Sequence, residues 1–284
     1  MRIPSARALM LGLAINVMLA QAPVCLAAAG TKAAHLIEFE RMTWPEVKDA
    51  LAAGKTTALI YTGGVEQRGP QNATGGHNLM AHATVKAIAE KLGNAIFMPV
   101  LPFTPNNANA AMPGTIGITP DLLSAMLERI AEQTIVNGFR NVIVMGDHGG
   151  GQPKVYEEVA SKLNAKYAAQ GIHVYYCDQV YVPANDAFNK YLADNGYPPS
   201  LHGGLPDTAE MMYLDKDKTW VRKNLLRTAV GDPVIDGKPQ VGPDSPHNGI
   251  SGDARRSDAR LGKKIFDMKV DYAVKQIRGF VGEK

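Results

Sequence analysis

The chain has 284 residues, of which 45% are hydrophobic and 20% charged, and 30 Lys and Arg residues nearly balance 27 Asp and Glu residues to give a net charge of +3. A chain of this length and composition can bury a full core, which excludes a disordered protein. A nucleic-acid-binding protein would show basic residues gathered into a run, and no block of five like charges occurs. The composition therefore indicates a folded protein that does not bind nucleic acid.

Residues 1–29 have the layout of a secretory signal peptide. Two arginines precede an apolar stretch over 8–20, and small residues at 27–29 form a cleavage site of the Ala-x-Ala type. The apolar stretch is shorter than the roughly 20 residues of a membrane span. A buried N-terminal helix and a lipid anchor at Cys25 are the alternatives. We expect an exported, periplasmic or secreted protein whose mature part, residues 30–284, is one α/β domain with no membrane span.

Removal of the signal peptide changes both the charge and the cysteine content. It deletes two arginines and no acids, so the net charge falls from +3 to +1. Cys177 is then the remaining cysteine, and an internal disulfide is impossible. Because Cys177 lies within an apolar run, we expect a buried, inert thiol rather than a nucleophile.

Strand and helix signals alternate through the first two thirds of the chain. Continuous apolar runs predict strands buried on both faces at 56–62, 95–101, 141–146 and 172–180. Helices are predicted between and after them at 44–53, 79–92, 120–137, 153–170, 184–195, 208–215 and 258–276. Residues 232–253 read as a long loop, of a kind that is usually functional or part of an oligomer contact. The alternation predicts an α/β fold, a mostly parallel sheet with helices on both faces.

Three loops that follow the predicted strands each combine a histidine with a carboxylate. Ligands of parallel α/β sheets gather beyond the carboxyl ends of the strands, so these loops should meet at one edge. A lone loop histidine is more often structural, and the glycines at 149–151 lack the Lys-Ser/Thr of a phosphate loop. Two imidazoles and a carboxylate together, however, form the ligand set of a catalytic zinc site. The residues concerned are Glu66, His77, His148, His202 and Asp207. His35, His82, His173 and His247 are expected to lie elsewhere.

Four motifs in order resemble those of the creatininase family, the creatinine amidohydrolases and their relatives. They are GGVEQRGP at 63–70, PGT at 113–115, MGDHGGG at 145–151 and HGGLPDTA at 202–209, within a resemblance that covers 36–214. The resemblance implies a metal-dependent hydrolase of amide-type C–N bonds. It also implies a three-layer α/β fold and a homo-oligomer, commonly a hexamer.

The resemblance also implies roles for individual residues. Glu66 and His148 match metal ligands, and His202 matches a histidine that transfers protons. Asp207 takes the place of a glutamate in the last motif, as a metal ligand or a general base. Family members hold two metals bridged by an aspartate, and a metal-activated water attacks the carbonyl.

Two positions depart from the family pattern. Arg68 stands where the family has a ligand histidine, and His77 stands where it has the bridging aspartate. A guanidinium cannot ligate a metal, because it stays protonated and offers no lone pair. We therefore expect one cation, Zn²⁺ or else Mn²⁺ or Fe²⁺, on Glu66, His77 and His148, with two metals as the alternative. Arg68 would pair with a substrate carboxylate or a developing oxyanion.

The predicted function is hydrolysis of an amide, lactam or cyclic amide of a small molecule. The predicted catalytic residues are His202, Asp207 and Arg68. A lactone or ester hydrolase at the same site is one alternative, because activated water attacks both kinds of carbonyl. A catalytically silent family scaffold that binds a ligand is the other.

Overall fold

The computed structural model of the protein describes residues 36–243 and 246–282. The expected signal peptide, residues 1–29, and His35 lie outside these ranges. Both expectations therefore stay predictions.

A parallel sheet of four strands forms the centre of the fold. The strand order is β2-β1-β3-β4, and every neighbouring pair is parallel, which confirms the predicted sheet. The strands are β1 (Thr57–Thr62), β2 (Ala95–Phe97), β3 (Asn141–Gly146) and β4 (His173–Tyr176).

The two edge strands are shorter than predicted. Beyond Phe97 the chain keeps only isolated bonds to β1, from the Met98 amide to Leu59 and from the Leu101 amide to Tyr61. Pro99 lies between them and has no amide hydrogen to donate, so the ladder stops. Strand β4 is also shorter than predicted, because it ends at Tyr176 and the chain forms a turn at 179–181.

Seven helices surround the sheet in the described part of the chain. Helices α2 and α6 begin three residues earlier than predicted, so that His77 and Asp207 lie in their first turns. No described helix is both long and apolar enough to cross a membrane. The helices are α1 (Trp44–Ala52), α2 (Gly76–Leu92), α3 (Pro120–Val136), α4 (Gln152–Tyr167), α5 (Val182–Asp194), α6 (Leu205–Leu214) and α7 (Ala259–Val281).

The central strands bury side chains on both faces, as their continuous apolar sequences predict. In β1, Ala58 and Ile60 pack into one core with side chains of α3 and α4, whereas Leu59 and Tyr61 pack into a second core with α2 and α7. Each fully buried large aliphatic side chain contributes about 1.5–3 kcal/mol. The predicted arrangement of helices on both faces is confirmed.

The region predicted as a long loop, 232–253, contains a small antiparallel hairpin. Strand β5 (Val234–Ile235) pairs with β6 (Lys238–Pro239). The turn residues Asp236 and Gly237 have φ angles of 48° and 71°, as expected for a two-residue hairpin turn of aspartate and glycine. This pair of turn residues is the local signal for the hairpin.

Candidate metal centre and active-site cleft

The sheet topology places the candidate site between its two central strands. From β1 the chain goes to β2 on one side, and β3 then pairs with β1 on the other side. This reversal opens a crevice at the carboxyl ends of β1 and β3, which is where open α/β sheets bind ligands. Glu66 follows the end of β1 and His148 follows the end of β3, so both side chains reach this crevice.

The carboxylate of Glu66 is the centre of the site. Its Oε1 lies 2.8 Å from Nε2 of His77, and its Oε2 lies 2.8 Å from Nε2 of His148. One ligand atom from each of the three residues lies within 4.8 Å of the others. Glu66 and His77 are buried, with 5% and 3% of their surface exposed. The structure thus brings together the three residues that the sequence predicts as metal ligands.

The outer nitrogens of both imidazoles are engaged by acceptors. Nδ1 of His77 lies 3.1 Å from a carboxylate oxygen of Asp147, and Nδ1 of His148 lies 2.8 Å from Oε1 of Gln152. The side-chain amide of Gln152 donates to the carbonyl of Pro105, which fixes its oxygen toward His148. Nδ1 of His77 therefore donates to Asp147, the usual arrangement around a metal-binding histidine. Nδ1 of His148 also lies 3.1 Å from the Gly150 amide, which donates to it, so Gln152 and Gly150 together hold the ring.

This arrangement tests whether the three residues fit a cation. When a divalent cation is bound, both imidazoles would be neutral and would direct the lone pairs of Nε2 at the ion beside Glu66. Two acceptors 2.8 Å apart repel unless a proton or a metal ion lies between them. The set of two imidazoles and one carboxylate fits a divalent metal ion.

Glu66 is held in its charged form. Burial acts to raise its pKa, but the hydrogen bonds and positive charge of His148 and His77 outweigh burial and keep the pKa well below its usual range. Asn106 also donates to Oε2 of Glu66 at 2.7 Å. Asn106 lies in the loop after the second strand, so its position in the sequence could have indicated that its amide reaches the same edge of the sheet as Glu66.

A buried chain of charges lies behind His77. The second carboxylate oxygen of Asp147 is 2.7 Å from Nζ of Lys269, which is also 2.7 Å from Glu210. All three side chains are buried. Burial acts to raise the pKa of Asp147, but Lys269 and His77 lower it to about 2. Burial raises the pKa of Glu210 to about 7, although Lys269 acts against this.

Lys269 and Glu210 were not predicted from the sequence. Both lie in helices, where a charged residue usually faces water. A signal was nevertheless present in α7, because Lys269 is spaced four residues from the buried Ile265 and Ala273. Lys269 therefore occupies a core-facing position of that helix.

Arg68 is completely buried and does not line the cleft. Its guanidinium lies 2.8 Å from Asp207 and 3.7 Å from Glu66. None of its nitrogens has a well-aligned hydrogen-bond partner among the described residues, so the close contact with Asp207 is an ion pair rather than an aligned hydrogen bond. The structure thus places Arg68 behind the two carboxylates rather than at the surface that a substrate would touch.

Asp207 lies at the border between Arg68 and the cleft. The Gly203 amide donates to its carboxylate at 2.8 Å. Gly203 has a φ of 63°, and a Cβ there would be 2.9 Å from the Arg68 carbonyl carbon, so this close approach needs glycine. Burial acts to raise the pKa of Asp207, but Arg68 and other neighbours keep it low. Asp207 is not part of the group formed by Glu66, His77 and His148.

His202 presents one ring nitrogen toward the metal centre. Nε2 lies 2.8 Å from the Gln67 carbonyl oxygen and therefore donates to it. Gln67 also places its side-chain nitrogen 3.2 Å from Nε2, but the carbonyl contact is shorter. Nδ1 is left with its lone pair, 3.4 Å from Oε1 of Glu66. Burial lowers the pKa of His202, although Glu66 acts against this, which favours the neutral imidazole.

These side chains open onto a cleft of about 380 Å³. Cavities of this size suit small molecules. Helix α5 forms the opposite wall with polar side chains. The cleft is lined by five of the residues predicted to form the site, namely Glu66, His77, His148, His202 and Asp207. The polar residues of α5 in the opposite wall are Asn185, Asp186 and Asn189.

The remaining described histidines lie outside the cleft, as predicted. His82 pairs with Glu38 at 3.2 Å, His173 stacks on Tyr175, and His247 is exposed. Glu38, Glu40 and His82 form the other described group close enough for a cation.

Cys177 is buried, and burial raises the pKa of its thiol to about 12. We expect iodoacetamide at pH 8 to leave Cys177 unmodified in the folded protein and to alkylate it after denaturation. Peptide mass spectrometry measures both states. Rapid alkylation of the native protein would contradict the inert thiol.

The chain is similar to known proteins in sequence and in fold. The family model for creatininase, creatinine amidohydrolase, matches residues 40–277. A creatinine amidohydrolase from Pseudomonas putida is 23% identical over 253 residues, which cover 84% of this chain and 94% of that protein. The solved manganese form of a creatininase superposes with a TM-score of 0.70 at 21% identity, covering 86% of this chain and 98% of that one. A mutant creatininase of Zn-Zn type gives 0.67 at 21% identity, with the same coverage.

The family match spans most of the chain and includes every residue of the candidate site. The structural likeness, at low identity, independently shows the same fold. The predicted resemblance is confirmed, and this chain belongs to the creatininase family, as a divergent member.

Proposed function

We propose that this protein hydrolyses an amide-type C–N bond of a small molecule, with one divalent cation held by Glu66, His77 and His148. The observation that carries the proposal is the pair of imidazole nitrogens that face the two oxygens of Glu66, each ring fixed through its other nitrogen. Membership of a family of creatinine amidohydrolases supports the reaction class.

The charges around the cleft support a single cation. With all four acids ionised and both imidazoles neutral, as in a metal-bound site, Glu66, Asp147, Asp207 and Glu210 carry two more charges than Arg68 and Lys269 balance. Buried charge is stable only when it is compensated. One divalent ion balances this excess, whereas a second ion would leave an excess of positive charge beside Arg68.

The bound cation would lower the pKa of a water molecule and polarise the substrate carbonyl. His202 would move the proton, because its Nδ1 carries a lone pair at the cleft and its side chain is 34% exposed. Asp207 would act indirectly, by holding Arg68 behind Glu66. In this proposal Arg68 supports the charge of the site and does not contact the substrate.

The donor set leaves the choice of metal to experiment. Two histidines and a carboxylate suit Zn²⁺, and the same set holds Fe²⁺ in other enzymes. The manganese and zinc forms of the related creatininases make Mn²⁺ the next candidate. We propose Zn²⁺.

Metal analysis and turnover of the purified protein test the proposal together. We expect one divalent ion per chain by inductively coupled plasma mass spectrometry. We also expect release of amine or ammonia from a panel of amides, and ring-opened amino acids from a panel of lactams. Two tightly bound ions per chain would overturn the single-cation site. The double variant Arg68→His with His77→Asp restores the family residues and should raise the count toward two.

The same assay separates the alternatives. Turnover of lactones or esters without turnover of amides would assign the site to C–O bonds. Stoichiometric binding of the metal without turnover of either class would favour a binding protein.

We also propose export of the protein and a homo-oligomer, a hexamer by analogy with the family. The sequence of residues 1–29 supports export. Cell fractionation with N-terminal sequencing tests export, and light scattering of the mature protein measures the number of subunits.

A further inference from the structure

A second cavity adjoins the active-site cleft. It has a volume of about 180 Å³ and shares three lining residues with the cleft, namely Asn189, Ser200 and Leu201. Asn189 belongs to α5, and the other two precede the His202 loop. The cavity, which we call the side groove, therefore lies next to the cleft, with these three residues at the border between them.

The side groove differs from the cleft in chemistry. The metal end of the cleft is lined by imidazoles and carboxylates, and α5 adds two amides and a carboxylate. Apolar side chains, among them Tyr181, Val182 and Pro206, line other parts of the cleft. The lining of the side groove is mainly apolar, and its carboxylate, Asp236, lies in the turn of the hairpin. Besides the shared Leu201, the apolar residues are Leu192, Ala193, Tyr197, Pro198, Pro199 and Val234.

The walls of the side groove are held by the fold. Leu192 is buried in a small core with Phe188 and Leu205. Ser200 accepts a bond from the Leu205 amide at 2.7 Å and forms a backbone bridge with Gly252, which fixes the strip between the two cavities. A preformed apolar wall of this kind binds an apolar group at a small cost in conformational entropy.

We propose that the side groove receives an apolar arm of the substrate, so that the bond cleaved in the cleft belongs to an amide or lactam with an alkyl or aryl substituent. This inference rests on the proposed function and adds the substrate class. A substrate that carries polar groups alone would leave this apolar surface in water, where it contributes nothing to binding. Asn189, Ser200 and Leu201 line both cavities, so a substrate bound in the cleft would extend its arm across these residues into the side groove.

The test compares two metal-chelating probes on the zinc-loaded protein by calorimetry. Acetohydroxamate reaches only the metal, whereas octanohydroxamate carries six more methylene groups. We expect octanohydroxamate to bind at least about tenfold tighter, because burial of two methylene groups suffices for that factor.

A pair of variants on α5 locates the difference. Ala193 lines the side groove with an exposed side chain, so Ala193→Phe fills it. We expect this variant to reduce the ratio of the two affinities to below about threefold, and to leave acetohydroxamate binding unchanged. Lys190→Phe adds the same ring to an exposed position of the same helix outside both cavities, and it should preserve the ratio.

Each outcome decides the proposal. Equal affinities for the two probes, including no binding of either, overturn it, as does a ratio that survives Ala193→Phe. A crystal structure with a second copy of the chain filling the side groove also overturns it. Amide turnover with equal probe affinities would reject the side groove alone, whereas absence of metal and of turnover would reject the proposed function.

Discussion

His148→Ala is expected to remove the bound metal and to abolish amide hydrolysis. His148 supplies one of two imidazoles to the site, and its ring is held from behind by Gln152. Changes to groups that only orient a metal ligand cost about 10–100-fold in affinity or activity. Loss of the ligand itself should have a larger effect, and we expect both the metal affinity and the activity to decrease by more than about 100-fold. Metal content after dialysis and kcat/KM for the best amide measure the two effects.

His82→Ala is the matched control. His82 is also a histidine paired with a glutamate, Glu38, but it lies outside the cleft with nearly half of its side chain exposed. This variant should keep one metal ion per chain and near-normal turnover. Full metal content and turnover in His148→Ala would refute the metal centre described here.

Lys269→Met is expected to lower the free energy of unfolding by about 3–5 kcal/mol. The ammonium of Lys269 lies 2.7 Å from both Asp147 and Glu210, and all three groups are buried. Methionine has a similar length but no charge, so the substitution leaves two buried carboxylates without a cation. Urea denaturation of the metal-free protein measures the change.

An exposed ion pair between α2 and the same helix, α7, provides the control. Lys91 contacts Asp271 of α7 at 2.6 Å, but their side chains are 51% and 62% exposed. Lys91→Met should cost only about 0–1 kcal/mol, because water screens such pairs. Adding Glu210→Gln to Lys269→Met removes one of the stranded charges and should recover part of the loss. A cost for Lys269→Met no larger than that for Lys91→Met would show that the buried chain of charges contributes little.

The sequence predicted the sheet and the three central site residues because both depend on local patterns. The apolar runs of β1 and β3 are continuous, and parallel strands bring the loops after them together. Glu66, His77 and His148 could be grouped on this rule without knowledge of any distance. The predicted start of α2 is three residues too late, but His77 lines the same crevice, so its grouping with Glu66 and His148 is unaffected.

The buried charges and the side groove could not be predicted in this way. Lys269 contacts Asp147 across 122 residues of sequence, and no local pattern specifies such a contact. The burial of Arg68 depends on Asp207 and the Gly203 turn, which come from another loop. The side groove needs the position of Val234 relative to α5, which only the tertiary structure supplies.

The burial of Arg68 has a consequence for the protein in metal-poor surroundings. A guanidinium keeps its proton at any physiological pH, and a covalent side chain cannot be extracted by a chelator or exchanged for a competing ion. Its positive charge beside Glu66 and Asp207 is thus present from the moment the chain folds. If EDTA removes the proposed metal ion, the apoprotein should stay folded, because the guanidinium of Arg68 still compensates part of the repulsion between Glu66 and Asp207.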